Sequence, residues 1–203
     1  GSGLVALSPS GIKQTLTSED GFKTNDIWLL CSDPTGRQWV NDSAGINAIS
    51  FSREMIPRGM GLANEFSLWG EKAYVNKTPW YRSRSCVSVS HKENGVERDT
   101  MCFSGRGEMK CWSDGQWLVV GEKQGIPNSK IQAMAVGPAG RLWVGTGDQG
   151  LFRTKVVFGK WLSRQFKRQL KWGKPVEDGE LLEQVMDESR GSPTNSIHSL
   201  VWY

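Results

Sequence analysis

Residues Gly125–Val144 read GIPNSKIQAMAVGPAGRLWV, and residues Gly21–Val40, 104 positions earlier, read GFKTNDIWLLCSDPTGRQWV. The two stretches align without a gap. Gly21 meets Gly125, Ile27 meets Ile131, Gly36-Arg37 meets Gly140-Arg141, and Trp39-Val40 meets Trp143-Val144. A third copy, GSPTNSIHSLVWY, starts at Gly191, puts Ile197 at the shared isoleucine position and runs to Tyr203. Self-similarity of this kind predicts stacked units, each too small to bury its apolar face without a neighbour.

Inside the unit, Ile27–Ser32 and Ile131–Val136 are short, mostly apolar runs expected to form buried strands. Asp33-Pro-Thr-Gly36 and Gly137-Pro-Ala-Gly140 are turn sequences, because Pro presets φ and Gly supplies the positive φ that closes the turn. Gln38–Val40 and Leu142–Val144 start the returning strands, and third strands are expected near Asn47–Ser52 and Phe152–Phe158. Gly3–Leu7 resembles Gly150–Thr154, so the chain opens on a third strand, with a fourth at Ile12–Thr17. Residues 1–20 then complete a blade begun elsewhere, and Ile197–Tyr203 starts a new first strand. In the diverged middle, Cys86–Ser90, Thr100–Ser104, Glu108–Ser113 and Gln116–Val120 read as four strands. Turns at Glu93-Asn-Gly95, Arg106-Gly107 and Asp114-Gly115 separate them. Glu65–Trp69 and Lys72–Val75 read as a further hairpin. Leu181, Leu182, Val185 and Met186 recur at helical spacing, which predicts one short helix near 179–189.

Four-stranded antiparallel units of about 40–50 residues are the blades of a β-propeller. The expectation is an all-β chain forming a propeller, or part of one, with roughly four to five blades. Residues 1–203 are read as a single domain with units starting near 21, 62, 86, 125 and 191. The composition agrees: 10 tryptophans and 24 glycines among 203 residues suit many short strands and tight turns. No run of 18 apolar residues marks a membrane-spanning helix.

The net charge is +4. Arg153, Lys155, Lys160, Arg164, Lys167, Arg168, Lys171 and Lys174 crowd one stretch, and six acids follow between Glu177 and Glu188. This reads as a solvated outer strand followed by a neutralising acidic linker; nucleic acid is not expected as a partner. The four cysteines include no CxxC pair. A two-residue turn at Arg106-Gly107 sets Cys102 opposite Cys111, as a disulfide or as two reduced neighbours.

Few residues point to chemistry. Catalytic triads need a nucleophile, a histidine and a carboxylate within reach, and the two histidines lack such neighbours in sequence. His91 precedes a loop signature, and His198 falls inside the last expected strand, where it lines the channel if it faces the axis. Asp33, Asp42, Asp114 and Asp148 are the carboxylates available for glycosidase work; Asp33 and Asp114 suit turns instead. Gly145-Thr-Gly147-Asp-Gln-Gly150 fits GxGxxG but opens no helix, so no dinucleotide site is expected. No metal or cofactor is expected. Trp28 and Trp202 sit in the expected innermost strands. Trp80-Tyr81-Arg82 and Arg84 interrupt the repeat with aromatic and guanidinium groups that binding surfaces favour. The candidate ligand-binding residues are therefore Trp28, Trp80, Tyr81, Arg82, Arg84, His198 and Trp202.

The stretch Gly125–Phe152, with its GIP opening, its Gly-Pro-Ala-Gly turn and its Leu-Trp-Val-Gly-Thr strand, resembles the two-component regulator propeller repeat. Gly21–Val40 resembles it less closely, with Asn41-Asp42 where that repeat has Gly-Thr, and Gly191–Leu200 matches only the opening. The resemblance implies a bacterial, periplasmic or extracellular sensor module that binds a small molecule, glycan or peptide and has no shared catalytic residues. Against this non-enzymatic, signal-transducing reading stand two alternatives. One is a propeller-fold lyase or glycosidase. The other is a glycan-binding or scaffold propeller that closes as a homo-oligomer through its strand edges.

Overall fold

The computed structural model describes residues 3–7, 13–20, 24–42, 45–49, 68–69, 83–93, 95–173 and 179–201. Strands β1 (Leu4–Leu7) and β2 (Lys13–Leu16) pair antiparallel. Strands β3 (Leu29–Ser32), β4 (Gln38–Asp42), β5 (Gly45–Ile49) and β6 (Leu68–Trp69) form one sheet in that order. Strands β7 (Cys86–Glu93), β8 (Val96–Ser104), β9 (Glu108–Ser113) and β10 (Gln116–Gly121) form a second. Strands β11 (Ile131–Val136), β12 (Leu142–Thr146), β13 (Leu151–Thr154) and β14 (Leu182–Met186) form a third. Every pairing is antiparallel and sequential, the up-and-down order of a propeller blade. The all-β, blade-built architecture is the expected one. The chain divides into two compact units, Gly1–Ser83 and Arg84–Tyr203.

The repeat is visible bond by bond. In both turns the first residue's N–H donates to the carbonyl four residues on, Asp33 to Arg37 at 3.0 Å and Gly137 to Arg141 at 2.9 Å. Gly36 and Gly140, both at positive φ, donate back at 2.9 Å. Trp39 and Trp143 hold the same register, opposite Cys31 and Ala135. Each lies under a guanidinium, Arg37 at 5.6 Å and Arg153 at 5.3 Å. The residue two before each repeat isoleucine accepts from a glycine of a neighbouring hairpin. Gly3 donates to Asn25, Gly107 to Ser129 and Gly150 to Asn195, at 3.1, 3.0 and 2.7 Å. All three glycines have φ between 68 and 83°. A Cβ at Gly3 or Gly150 would meet a carbonyl oxygen at 2.1 or 2.2 Å, so glycine is obligatory at both on steric and conformational grounds.

The middle hairpins form where the turn sequences place them. Glu93 pairs with Val96 across the first turn, where Gly95 has a φ of 81°, and Asp114-Gly115 links Ser113 to Gln116 with φ of 47 and 79°. These positive angles match the twist of tight hairpins. The Arg106-Gly107 turn brings Cys102 opposite Cys111. The two are disulfide-bonded with Cα atoms 4.1 Å apart, and no cysteine is free.

Three expectations need correction. The helix is α1 (Phe158–Trp172), not a segment near 179–189. Residues Leu182–Met186 are strand β14, pairing with β13 through Thr154–Leu182, Arg153–Glu183 and Phe152–Gln184, and only a single 3-10 turn, Glu188–Arg190, follows. The basic stretch is accordingly mostly helix rather than outer strand, and β13 stops at Thr154. Second, Leu68–Trp69 does not open a fresh unit near 62. It is the fourth strand of the first sheet, paired with β5; residues 50–67 and 70–82 lie outside the described residues. Third, residues 195–201 form no strand. Ile197 nevertheless docks as Ile131 does: its N–H donates to Thr146 at 2.8 Å, as that of Ile131 donates to Gly105 at 3.0 Å.

Helix α1 fills the β13–β14 connection. Its first amide, at Phe158, donates 2.8 Å to the carbonyl of Gly140, so the β11–β12 turn stands in for a side-chain cap. Gly173, at φ 59°, ends it in the left-handed conformation. Phe158, Trp161, Leu162 and Phe166 recur on one face and are buried. They join Val89, Cys102, Cys111, Leu118, Ile131, Met134, Leu142 and Val144 in one core. Burial of each large side chain contributes about 1.5–3 kcal/mol. Gly159 lets the helix approach β7 closely, since a Cβ there would meet Cβ of His91 at 2.9 Å.

Candidate functional site

The repeat register singles out the position after the isoleucine, which is Trp28, Gln132 or His198. In the Arg84–Tyr203 unit two of these meet. Nδ1 of His198 lies 3.0 Å from Oε1 of Gln132, and Nε2 lies 3.0 Å from Oγ of Ser196. An amide oxygen only accepts, so Nδ1 carries the proton and Nε2 accepts from the serine hydroxyl. His198 is exposed, and Gln132 and Ser196 are half-buried. The segment carrying them is held at the ends of β12 and β13 by the Gly150–Asn195 and Ile197–Thr146 bonds. It also crosses directly over Gly145, where a Cβ would strike the Ile197 side chain at 2.6 Å. Beside this pair, Ser129 donates its hydroxyl to Asp148. The cluster is a rim of donors and acceptors, not a proton relay. Gln132 orients the imidazole as a triad carboxylate would, but carries no charge to stabilise an imidazolium.

The other candidates are placed as follows. Trp28 is half-buried just before β3; its amide donates to Asn41 and its indole N–H to Asp26, both at 2.9 Å. Arg84 is exposed, with its amide bonded to Oγ of Ser104 at 3.1 Å. Trp80, Tyr81, Arg82 and Trp202 lie outside the described residues. His91 lies in β7, 8% exposed, with Nδ1 buried and without a hydrogen-bond partner. Gln132 and Ser196 went unnoticed in sequence, although the register that marks Trp28 and His198 also marks Gln132.

The carboxylates are engaged structurally. Asp33 accepts from the amides of Thr35 and Arg37 at 3.0 and 3.1 Å and from the Trp39 indole at 3.0 Å. Asp42 accepts from the Gly45 amide at 3.0 Å, and Asp114 pairs with Arg98. Among the described residues no group of three metal-ligating side chains converges. Arg153 grips Glu183 through Nε at 3.0 Å and Nη2 at 2.5 Å, holding that carboxyl below the usual glutamate range. Lys155 does the same to Glu180 at 2.7 Å. A cleft of about 200 Å³ opens beside them, bounded by Lys155, Trp161, Arg164, Glu180 and Leu181. Burial on β9 pushes the Lys110 ammonium below its ordinary value, against the opposing pull of Glu108 at 3.4 Å. No helix among the described residues is long and apolar enough to cross a membrane.

Residues 125–148 match the family described as two component regulator propeller, as the motifs of that stretch led us to expect. Two solved structures of the extracellular domain of BT4673 from B. thetaiotaomicron share the fold. One, described as that of a one-component system, is 15% identical over 98% of this chain with a TM-score of 0.61. The other, described as that of a hybrid two-component system, is 14% identical over 97% with a TM-score of 0.59. This chain spans 22% of the length of each. No curated protein matches it.

Proposed function

We infer that the chain is part of the ligand-binding portion of a signalling protein, working in the periplasm or outside the cell and performing no bond chemistry. The observation that carries this is the meeting of Gln132 and His198, at the repeat's equivalent positions, with Ser196 bonded to the imidazole beside them. Repeated units there present oriented polar groups, half-buried at Gln132 and Ser196 and exposed at His198, around one locus. The match of residues 125–148 and the extracellular location of the similar domains support the setting. A bound small molecule, glycan or peptide would act by favouring one of two conformations of the parent protein. The test is thermal-shift screening with small molecules, oligosaccharides and peptides, followed by His198→Ala and Gln132→Ala. Loss of the shift with an unchanged ligand-free midpoint supports the rim. A shift that survives both substitutions, or turnover of the ligand, overturns the reading.

A further inference from the structure

We propose that the outer face of helix α1 is a docking surface for an anionic lipid membrane. Helix α1 carries Lys160, Arg164, Lys167, Arg168 and Lys171 and not one carboxylate in its 15 residues. At 100° per residue, Lys160, Arg164, Lys167 and Lys171 fall within an arc of about 60° and span roughly 16 Å along the axis. All four are exposed, and the opposite face is committed to the core through Phe158, Trp161, Leu162 and Phe166. The helix therefore keeps its apolar side in the protein and turns a row of cations outward. Apolar side chains flank that row at both ends: Leu170 is 63% exposed, and Val156 and Val157, just before the helix, are 46% and 39% exposed. That combination decides the occupant. A soluble polyanion gains from the cations but nothing from exposed Leu and Val, and single-stranded nucleic acid wants aromatic platforms. A bilayer with anionic headgroups rewards both, through attraction at the surface and shallow burial of the aliphatic tips. The inference is independent of the ligand rim, because it uses none of the residues around His198.

The experiment is co-flotation of the 203-residue chain with vesicles of phosphatidylcholine alone or mixed with phosphatidylglycerol, at low and high salt. Binding is expected only to the mixed vesicles and is expected to fade with salt. The triple variant Lys160→Gln/Lys167→Gln/Lys171→Gln, which retains helix-forming side chains, should weaken it by more than about tenfold. Leu170→Ser should weaken vesicle binding while leaving any retention on sulfated dextran unchanged. Both variants are first checked for an unchanged melting midpoint, which core-directed damage would move. The proposal is overturned by equal binding to neutral vesicles, by no binding to either, or by capture on sulfated dextran without capture on vesicles.

Discussion

The glycine that receives each repeat's lead segment is the smallest part of this molecule with a large effect. Gly150→Ala faces both a positive φ and a carbonyl at 2.2 Å, whereas Gly36→Ala faces a positive φ with nothing within 4 Å. We expect Gly36→Ala to cost about 1 kcal/mol and Gly150→Ala more than about 2 kcal/mol in chemical denaturation. Equal losses would disprove the steric argument. Gly140→Val, at φ 68° and against Val157, should cost more than about 1 kcal/mol. Lys110 makes a different prediction. Its folded value lies below 10.5, so the unfolded chain binds the extra proton between the two values and stability rises with pH across that window. Lys110→Met should flatten the rise, measured by denaturation at increasing alkaline pH. At this scale turn glycines were legible, because a Pro-x-Gly or Asp-Gly sequence encodes its own dihedral angles. Gln132 and Ser196 were not, since an ordinary polar residue announces a partner only after distant segments have been brought together.

Among the elements, the hairpins of the middle sheet were readable almost to the residue, since alternation and two-residue turns are local signals. The helix was misplaced for a physical reason. Leu181, Leu182, Val185 and Met186 satisfy helical spacing over less than two turns, and a run that short also suits a strand with Leu182 turned inward. In Phe158–Trp172 the apolar stripe is interrupted by five cations, four of them on the solvent side, so charge hid amphipathicity. Phe166→Ala should cost about 3–5 kcal/mol because it opens a void between helix and core. Lys160→Ala, on the solvent side, should change stability by less than about 0.5 kcal/mol. The Cys102–Cys111 bond closes a short loop, and its removal in the double variant Cys102→Ala/Cys111→Ala should cost about 2–3 kcal/mol, seen as a lower denaturation midpoint.

On the scale of the whole molecule, the repeat announced the blade class, but the diverged stretches concealed the assignment of Leu68–Trp69 to the first sheet. Hydrogen exchange gives the check: amides of β8, β9, β11 and β12 around the shared core should exchange slowest. Gly150 and Ile197 should be protected as well, although residues 195–201 have no strand of their own; fast exchange at both would mean that the third copy does not dock. The joint between repeats has a further consequence. It uses one glycine amide, one carbonyl and one isoleucine, all at one end of a sheet, while helix α1 enters at the β13–β14 connection. A longer or shorter β13–β14 connection would leave those bonds untouched. Within the Arg84–Tyr203 unit, then, the insert that carries the helix and the contacts that dock the third repeat are separable parts, and a change in one need not disturb the other.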